Sequence, residues 1–263
     1  METLNAIILG FVEGITEFLP ISSTGHMILA GHWLGWETET AKTFEVFIQL
    51  GAILAVVLFF PHRFLGLLNL KAKEGFAGWR GLGLLAVTTA PALVLGAAAH
   101  GFIKAHLFSP ATVAIGLAVG AVWILVVEKF LRGPAQSGLD RVTWRQALAV
   151  GCFQCLAMWP GMSRSACTIL GGMLVRLDRR TATEYSFFAA VPTMIAACSF
   201  DLLKSLPFLR AADLPLFAIG FVVSFISAWL AVKWFIHFVG GHTLNPFAWY
   251  RLALAAVVWW LIR

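Results

Sequence analysis

Glu13-Gly-Ile-Thr-Glu17-Phe-Leu-Pro20-Ile-Ser-Ser23-Thr-Gly-His26 interrupts an apolar run that extends over 4–34. Crossing a bilayer as a helix takes about 20 mostly apolar residues, and this run is broken well before that length by carboxylates, proline and hydroxyls. A second break, Trp159-Pro160-Gly161-Met162-Ser163-Arg164-Ser165, interrupts the apolar stretch 147–175 in the same way. Each stretch reads as a short helix, a polar break and a second short helix. Non-helical backbone at membrane depth survives only where protein or a water-filled cavity surrounds it. The two breaks therefore predict re-entrant helical hairpins lining a shared cavity.

Outward from the hairpins, six segments approach the length of a span: 44–60, 82–103, 110–131, 185–204, 214–238 and 247–262. The expected fold is an all-α integral membrane protein, with six transmembrane helices and two re-entrant hairpins in one membrane domain, 1–263. Composition agrees. Of 263 residues, 60% are hydrophobic and 12% charged, half the charge of an ordinary soluble domain. Disorder, a coiled coil and a soluble α/β enzyme are excluded. The net charge of +6 comes from basic residues in the breaks between apolar runs, so it points to membrane topology and not to nucleic acid. The Cys152-x-x-Cys155 pair lacks further ligands at zinc spacing, and the four cysteines read as small buried hydrophobes. The N-terminal run lacks the basic start and small-residue site of a cleaved signal peptide.

Pro20-x-x-Ser23 and Pro160-x-x-Ser163 are separated by 140 positions, as are Thr43-x-x-x-Phe47 and Thr183-x-x-x-Phe187. Each half is a hairpin followed by three spans, giving repeats of approximately 1–131 and 141–263. An odd number of crossings inverts the second half. Arg63, Lys71, Lys73 and Arg80 lie in one connecting segment, Arg132, Arg141 and Arg145 in another, and Arg176, Arg179 and Arg180 follow the second hairpin. The positive-inside rule puts these in the cytoplasm and the mouth of the first hairpin outside.

The breaks also hold the chemistry. Glu13 and Glu17, four residues apart, share a helix face and suit a hard divalent cation or a shared proton. Ser22, Ser23 and Thr24 stand where the second half-helix begins, with free N–H groups that favour a phosphate. His26 lies one turn on, within reach of acid–base work. Ser163, Arg164, Ser165 and Thr168 form the matching set, and the Arg164 guanidinium suits phosphate oxygens. Gln154 stands where the first half has Glu13. A plainer reading accompanies each residue: an N-cap for the serines, an ion pair between Arg164 and Glu13 or Glu17, a satisfied helix position for His26. The combination, two half-helix N-termini with arginine, hydroxyls, histidine and carboxylates, fits a phosphate ester with a metal.

These two motifs, together with the chain length and span order, resemble the bacterial undecaprenyl-diphosphate phosphatase family, the bacitracin resistance proteins. The resemblance implies a hydrolase in the bacterial inner membrane, its site facing outward. It would remove the terminal phosphate of undecaprenyl diphosphate and return the lipid carrier to peptidoglycan synthesis. It also implies support from a divalent cation, Mg²⁺ or Ca²⁺. The family's functional residues fall on Glu13, Glu17, Ser23 and His26 in the first motif and on Ser163, Arg164, Ser165 and Thr168 in the second. Ala166-Cys167 replaces a smaller pair. The expected partners are a polyprenyl diphosphate lipid and the bilayer, with no nucleic acid and a homodimer left open. Ser23 as nucleophile with His26 or Glu17 as base, and a metal-activated water with Ser23 positioning phosphate, both remain open on sequence. A histidine-nucleophile phosphatase is excluded, because no histidine follows Ser163-Arg164 before His237. A lipid-phosphate or small-anion transporter is the non-enzyme alternative.

The charge argument sets a topology test. A cysteine placed at Glu37 is expected to react with a membrane-impermeant reagent on intact cells, and one at Lys73 is not. The reverse pattern would overturn the outward-facing site.

Overall fold

A computed structural model describes residues 2–36, 38–72, 74–107, 109–131, 135–205 and 211–261. Glu37, Lys73 and Arg132, used in the charge argument, lie outside them. The described residues form helices joined by short turns, with an isolated bridge between Gln136 and Leu177.

The first apolar run is split as expected into α1 (Glu2–Thr16) and α2 (Ser23–Leu34), and the second into α7 (Trp144–Gln154) and α8 (Arg164–Leu174), the latter pair with a 3₁₀ turn over Cys155–Met158 between them. The long helices are α3 (Glu39–Phe59), α5 (Gly78–His106), α6 (Pro110–Phe130), α9 (Arg179–Ser205) and α10 (Leu214–Val239). All five are long and apolar enough to cross a bilayer. The sixth expected span is α11 (Asn245–Leu261), whose 17 described residues stand at the lower limit of spanning length. Sequence periodicity gave no sign of α4 (Pro61–Leu68), an eight-residue helix that begins on a proline directly after α3. Leu93, Val94, Val119, Val122, Val126, Ile226, Leu230 and Trp260 are all exposed on these helices. Apolar surface on this scale is solvated by lipid, not water.

Helix α1 packs along α10 and α7 along α5, while α3 lies against α9 and α6 against α11. Close approach is made by glycines. A Cβ on Gly10 would stand 2.6 Å from the Gly220 carbonyl oxygen of α10, and one on Gly151 would stand 2.5 Å from that of Thr88 on α5. Small residues at such crossings let backbones touch where there is no hydrophobic drive between helices.

The two hairpins share a backbone plan. Ser22 and Ser163 are the N-caps of α2 and α8, and both have left-handed backbone, φ 70° and 71°. Their hydroxyls accept from the Gly25 and Ala166 N–H groups at 3.4 and 3.3 Å. Left-handed residues close the same helices at Gly35 and Arg176. Beyond them the Trp36 and Leu177 N–H groups donate back to the carbonyls of Gly31 and Gly172. These pairs are all 141 positions apart (22 to 163, 35 to 176). The next N-caps, Thr38 and Asp178, return to 140. Within the hairpins, then, Ser22 corresponds to Ser163 and Ser23 to Arg164, one place from the register that matched the prolines.

At one end of the bundle Asp140 organises the loop between α6 and α7. Its Oδ1 accepts the Phe76 N–H and an Arg63 Nη1–H, each at 2.8 Å. The Phe76 N–H, with Arg63 beside it, holds this carboxyl below the ordinary aspartate range. A lowered folded-state pKa stabilises above the unfolded value, about 3.9, and the gain is lost as pH falls through the folded value. Asp140→Asn is therefore expected to lower the melting temperature at pH 7, and the gap from wild type is expected to close below about pH 4. A gap that persists at low pH would mean that the carboxylate charge is not what holds the loop.

Candidate active site

The two breaks meet. Ser165 Oγ, in α8, donates to the carbonyl of Leu19, just before Pro20, at 2.6 Å. Arg251 of α11 lies wholly buried between the breaks. Its Nη1 donates to the carbonyls of Pro20 and Met162 at 3.2 and 3.0 Å, and its Nη2 to those of Gly161 and Gly116 at 2.9 and 3.2 Å. Its Nε reaches the Leu117 carbonyl at 3.3 Å. These carbonyls belong to backbone that has left the helix or to the helix beside it, so a guanidinium supplies donors that bilayer lipid lacks.

A cavity of about 840 Å³ opens above this junction. Glu17, Ser22, Ser23, Thr24, Ser163 and Arg164 form its polar end, and Leu93, Ala97, Met158, Met194 and Phe200 are among its apolar walls. At the polar end Glu17 joins the halves. Ser23 Oγ donates to Glu17 Oε2 at 2.6 Å, and Arg164 Nη2 donates to Glu17 Oε1 at 3.2 Å. Arg164 Nη1 also reaches the Ser186 carbonyl at 3.3 Å, and the guanidinium lies 5.5 Å from the centre of the Phe18 ring. Its Nε is buried with no partner, as are Glu13 Oε1 and Gln154 Oε1. Buried groups are ordinarily satisfied, and of these three residues Arg164 and Gln154 line the cavity whereas Glu13 stands behind it. Glu13 is itself buried, within hydrogen-bonding reach of Glu17.

Not every predicted residue faces the cavity. His26 is outside its lining, and both ring nitrogens are engaged: Nδ1 with the Ser22 carbonyl at 2.8 Å, Nε2 with the Tyr250 hydroxyl at 2.6 Å. No hydrogen bond joins it to Ser23. Of the two bases the sequence offered for Ser23, His26 and Glu17, the Ser23 hydroxyl turns to Glu17 and not along α2 to His26. Ser165 and Thr168 also stand behind the cavity wall. Thr168 Oγ1 pairs with Ser186 Oγ at 2.6 Å and donates to the Arg164 carbonyl at 2.9 Å, and so braces α8 against α9. Ser22 and Ser163 act as N-caps while also lining the cavity. Sequence reasoning left four lining residues unassigned or unnoticed: Gln49, Gln154, Thr193 and Asp201. It placed Arg251 only among the charged residues in or near spans, as supporting or interfacial, and its signal was a charge deep in an apolar segment.

Fold and site together define a polytopic membrane protein with two broken helices and a cavity ending in serine, carboxylate and arginine. The chain belongs to the family of the bacitracin resistance protein BacA, whose model matches residues 6–257. It is similar to a protein of Nitratidesulfovibrio vulgaris strain Hildenborough named undecaprenyl-diphosphatase, 58% identical over 261 residues, 99% of this chain and 98% of the relative. A protein of that name from Maridesulfovibrio salexigens is 60% identical over 253 residues, 96% of each chain. One from Desulfovibrio desulfuricans is 54% identical over 259 residues, 98% of each.

The His26–Tyr250 pair gives a stability test. Tyr250→Phe removes one hydrogen bond and is expected to lower stability by about 1 kcal/mol in thermal unfolding. In a double-mutant cycle with His26→Ala the two losses should not add. Additive losses would mean that the Tyr250 hydroxyl and the His26 imidazole do not interact.

Proposed function

We propose that this chain is an undecaprenyl-diphosphatase that hydrolyses undecaprenyl diphosphate to undecaprenyl phosphate and inorganic phosphate. The bacitracin resistance family and the names of its relatives support the reaction, and one observation carries its assignment to this site. Ser23, Glu17 and Arg164 form a single hydrogen-bonded chain at the polar end of an otherwise largely apolar cavity. A polyprenyl chain suits the apolar walls and a diphosphate the polar end.

The chemistry follows from those contacts. Ser23 Oγ attacks the terminal phosphorus while Glu17, already hydrogen-bonded to it, takes the hydroxyl proton. The bond from that phosphorus to the bridging oxygen breaks, and its electron pair leaves with undecaprenyl phosphate. Water then opens the phosphoserine, releasing inorganic phosphate and restoring the serine. Arg164 offers its free Nε and the N–H groups at the starts of α2 and α8 offer theirs, so charge developing on phosphate oxygens meets fixed donors. Glu13 and Glu17 are the residues that would hold Mg²⁺ or Ca²⁺. Both supply hard oxygen donors, and Glu13 Oε1 is buried without a partner. Such a cation would neutralise phosphate charge. His26 holds the Ser22 carbonyl next to the nucleophile.

The reading includes an inverted repeat of about 1–131 and 141–263. The matched caps of the two hairpins support it, as does the packing of each hairpin's first helix along the second span of the other half. It also includes an outward-facing site in the bacterial inner membrane, supported by the basic loops, and a role in recycling the cell-wall lipid carrier.

Phosphate release from undecaprenyl diphosphate by the purified protein tests the reaction, and its absence would sink it. Ser23→Ala should nearly abolish release while lipid binding survives. Arg164→Lys keeps the charge but loses the planar fork, so kcat should fall by about 2–4 kcal/mol of barrier. Near-normal turnover in that variant would leave Arg164 as no more than an ion-pair partner of Glu17.

A further inference from the structure

Serine and arginine in this site come from different hairpins, 141 positions apart, and their relative placement depends on how the two tips are joined. Two ties join them. One is the Ser165 hydroxyl on the Leu19 carbonyl. The other is Arg251, which holds Pro20 on one tip and Gly161 and Met162 on the other with a single rigid guanidinium. Pro20 lies two residues before the N-cap Ser22, and Met162 directly precedes the N-cap Ser163. Among the described residues no ion pair to a carboxylate is formed by Arg251, so its donors are committed to backbone. Room for it is made by Gly120 of α6, where a Cβ would collide with Nη2.

We propose that Arg251 is a positioning residue for the reaction, fixing the spacing between Ser23 and Arg164 by holding the two hairpin tips to one planar group. It does not line the cavity, so it acts on the reacting atoms only through the backbone it grips. A misplacement of an ångström in such a constellation costs on the order of 10²-fold in rate. Lysine at this position keeps the charge but has one nitrogen and no fork, so it cannot span carbonyls of both tips.

The inference rests on the proposed phosphatase activity, and wild-type phosphate release from undecaprenyl diphosphate must be measured first. No release by wild type defeats that activity. With wild type active, kcat and KM are measured for Arg251→Lys and Arg251→Gln on the monodisperse, folded fraction, alongside thermal unfolding. Arg251→Lys is expected to lower kcat at least tenfold with KM within about twofold of wild type, since the cavity walls are untouched. A brace of merely structural value would lower the melting temperature and leave kcat per folded molecule unchanged, and that result overturns the proposal. A raised KM at normal kcat overturns it too. If Arg251→Lys does not fold, Arg251→Gln decides. It removes the charge and the fork but leaves a donor, so a fall in kcat at constant KM supports the proposal and normal turnover overturns it.

Discussion

The structure depends on satisfying backbone that is neither helical nor in water. Between Thr16 and Ser23, and again between Met158 and Arg164, the chain leaves the helix inside a protein whose outer face is apolar. Every carbonyl released there needs a donor, and lipid has none. Arg251 serves three of them, those of Pro20, Gly161 and Met162, and two carbonyls of α6 besides, from one buried side chain. An arginine buried without a carboxylate is costly unless all its donors are used. Here that need and the need of the broken backbone meet.

With the tips joined, function and packing become hard to separate. Ser22 and Ser163 adopt left-handed backbone that costs of order 1–3 kcal/mol each in residues other than glycine. The surrounding structure holds that strain, and in return the first turns of α2 and α8 present their N–H groups at the same cavity. Glu17 then links the halves electrically, accepting from a hydroxyl on one hairpin and a guanidinium on the other. Its two oxygens serve two elements far apart in the chain.

The residues behind the cavity explain why the polar inventory of the motifs is larger than the cavity needs. Ser165, Thr168 and His26 direct their hydrogen bonds to Leu19, Ser186, Ser22 and Tyr250. Of these partners Ser22 lines the cavity, and the Ser186 carbonyl accepts from the lining residue Arg164. Motif membership alone cannot separate contact from support, because a half-helix start presents hydroxyls on both of its faces.

Much was legible in the order of the residues. Apolar run length determined the membrane class and the long helices, and proline beside serine marked both breaks, since each follows from local hydropathy and backbone stereochemistry. The carboxylate spacing at Glu13 and Glu17 and the Ser163-Arg164-Ser165 run marked the candidate site for the same local reason. Matching letters put Ser23 opposite Ser163, whereas left-handed φ values and cap bonds put Ser22 there, because backbone conformation and not residue identity sets a turn's register. Tertiary structure alone decided that Glu17 faces both Ser23 and Arg164, that His26 turns to Tyr250, and that Arg251 joins the tips. Those contacts cross 147, 224 and 231 positions of chain, distances over which no local pattern specifies a partner and only the packing of helices in three dimensions does.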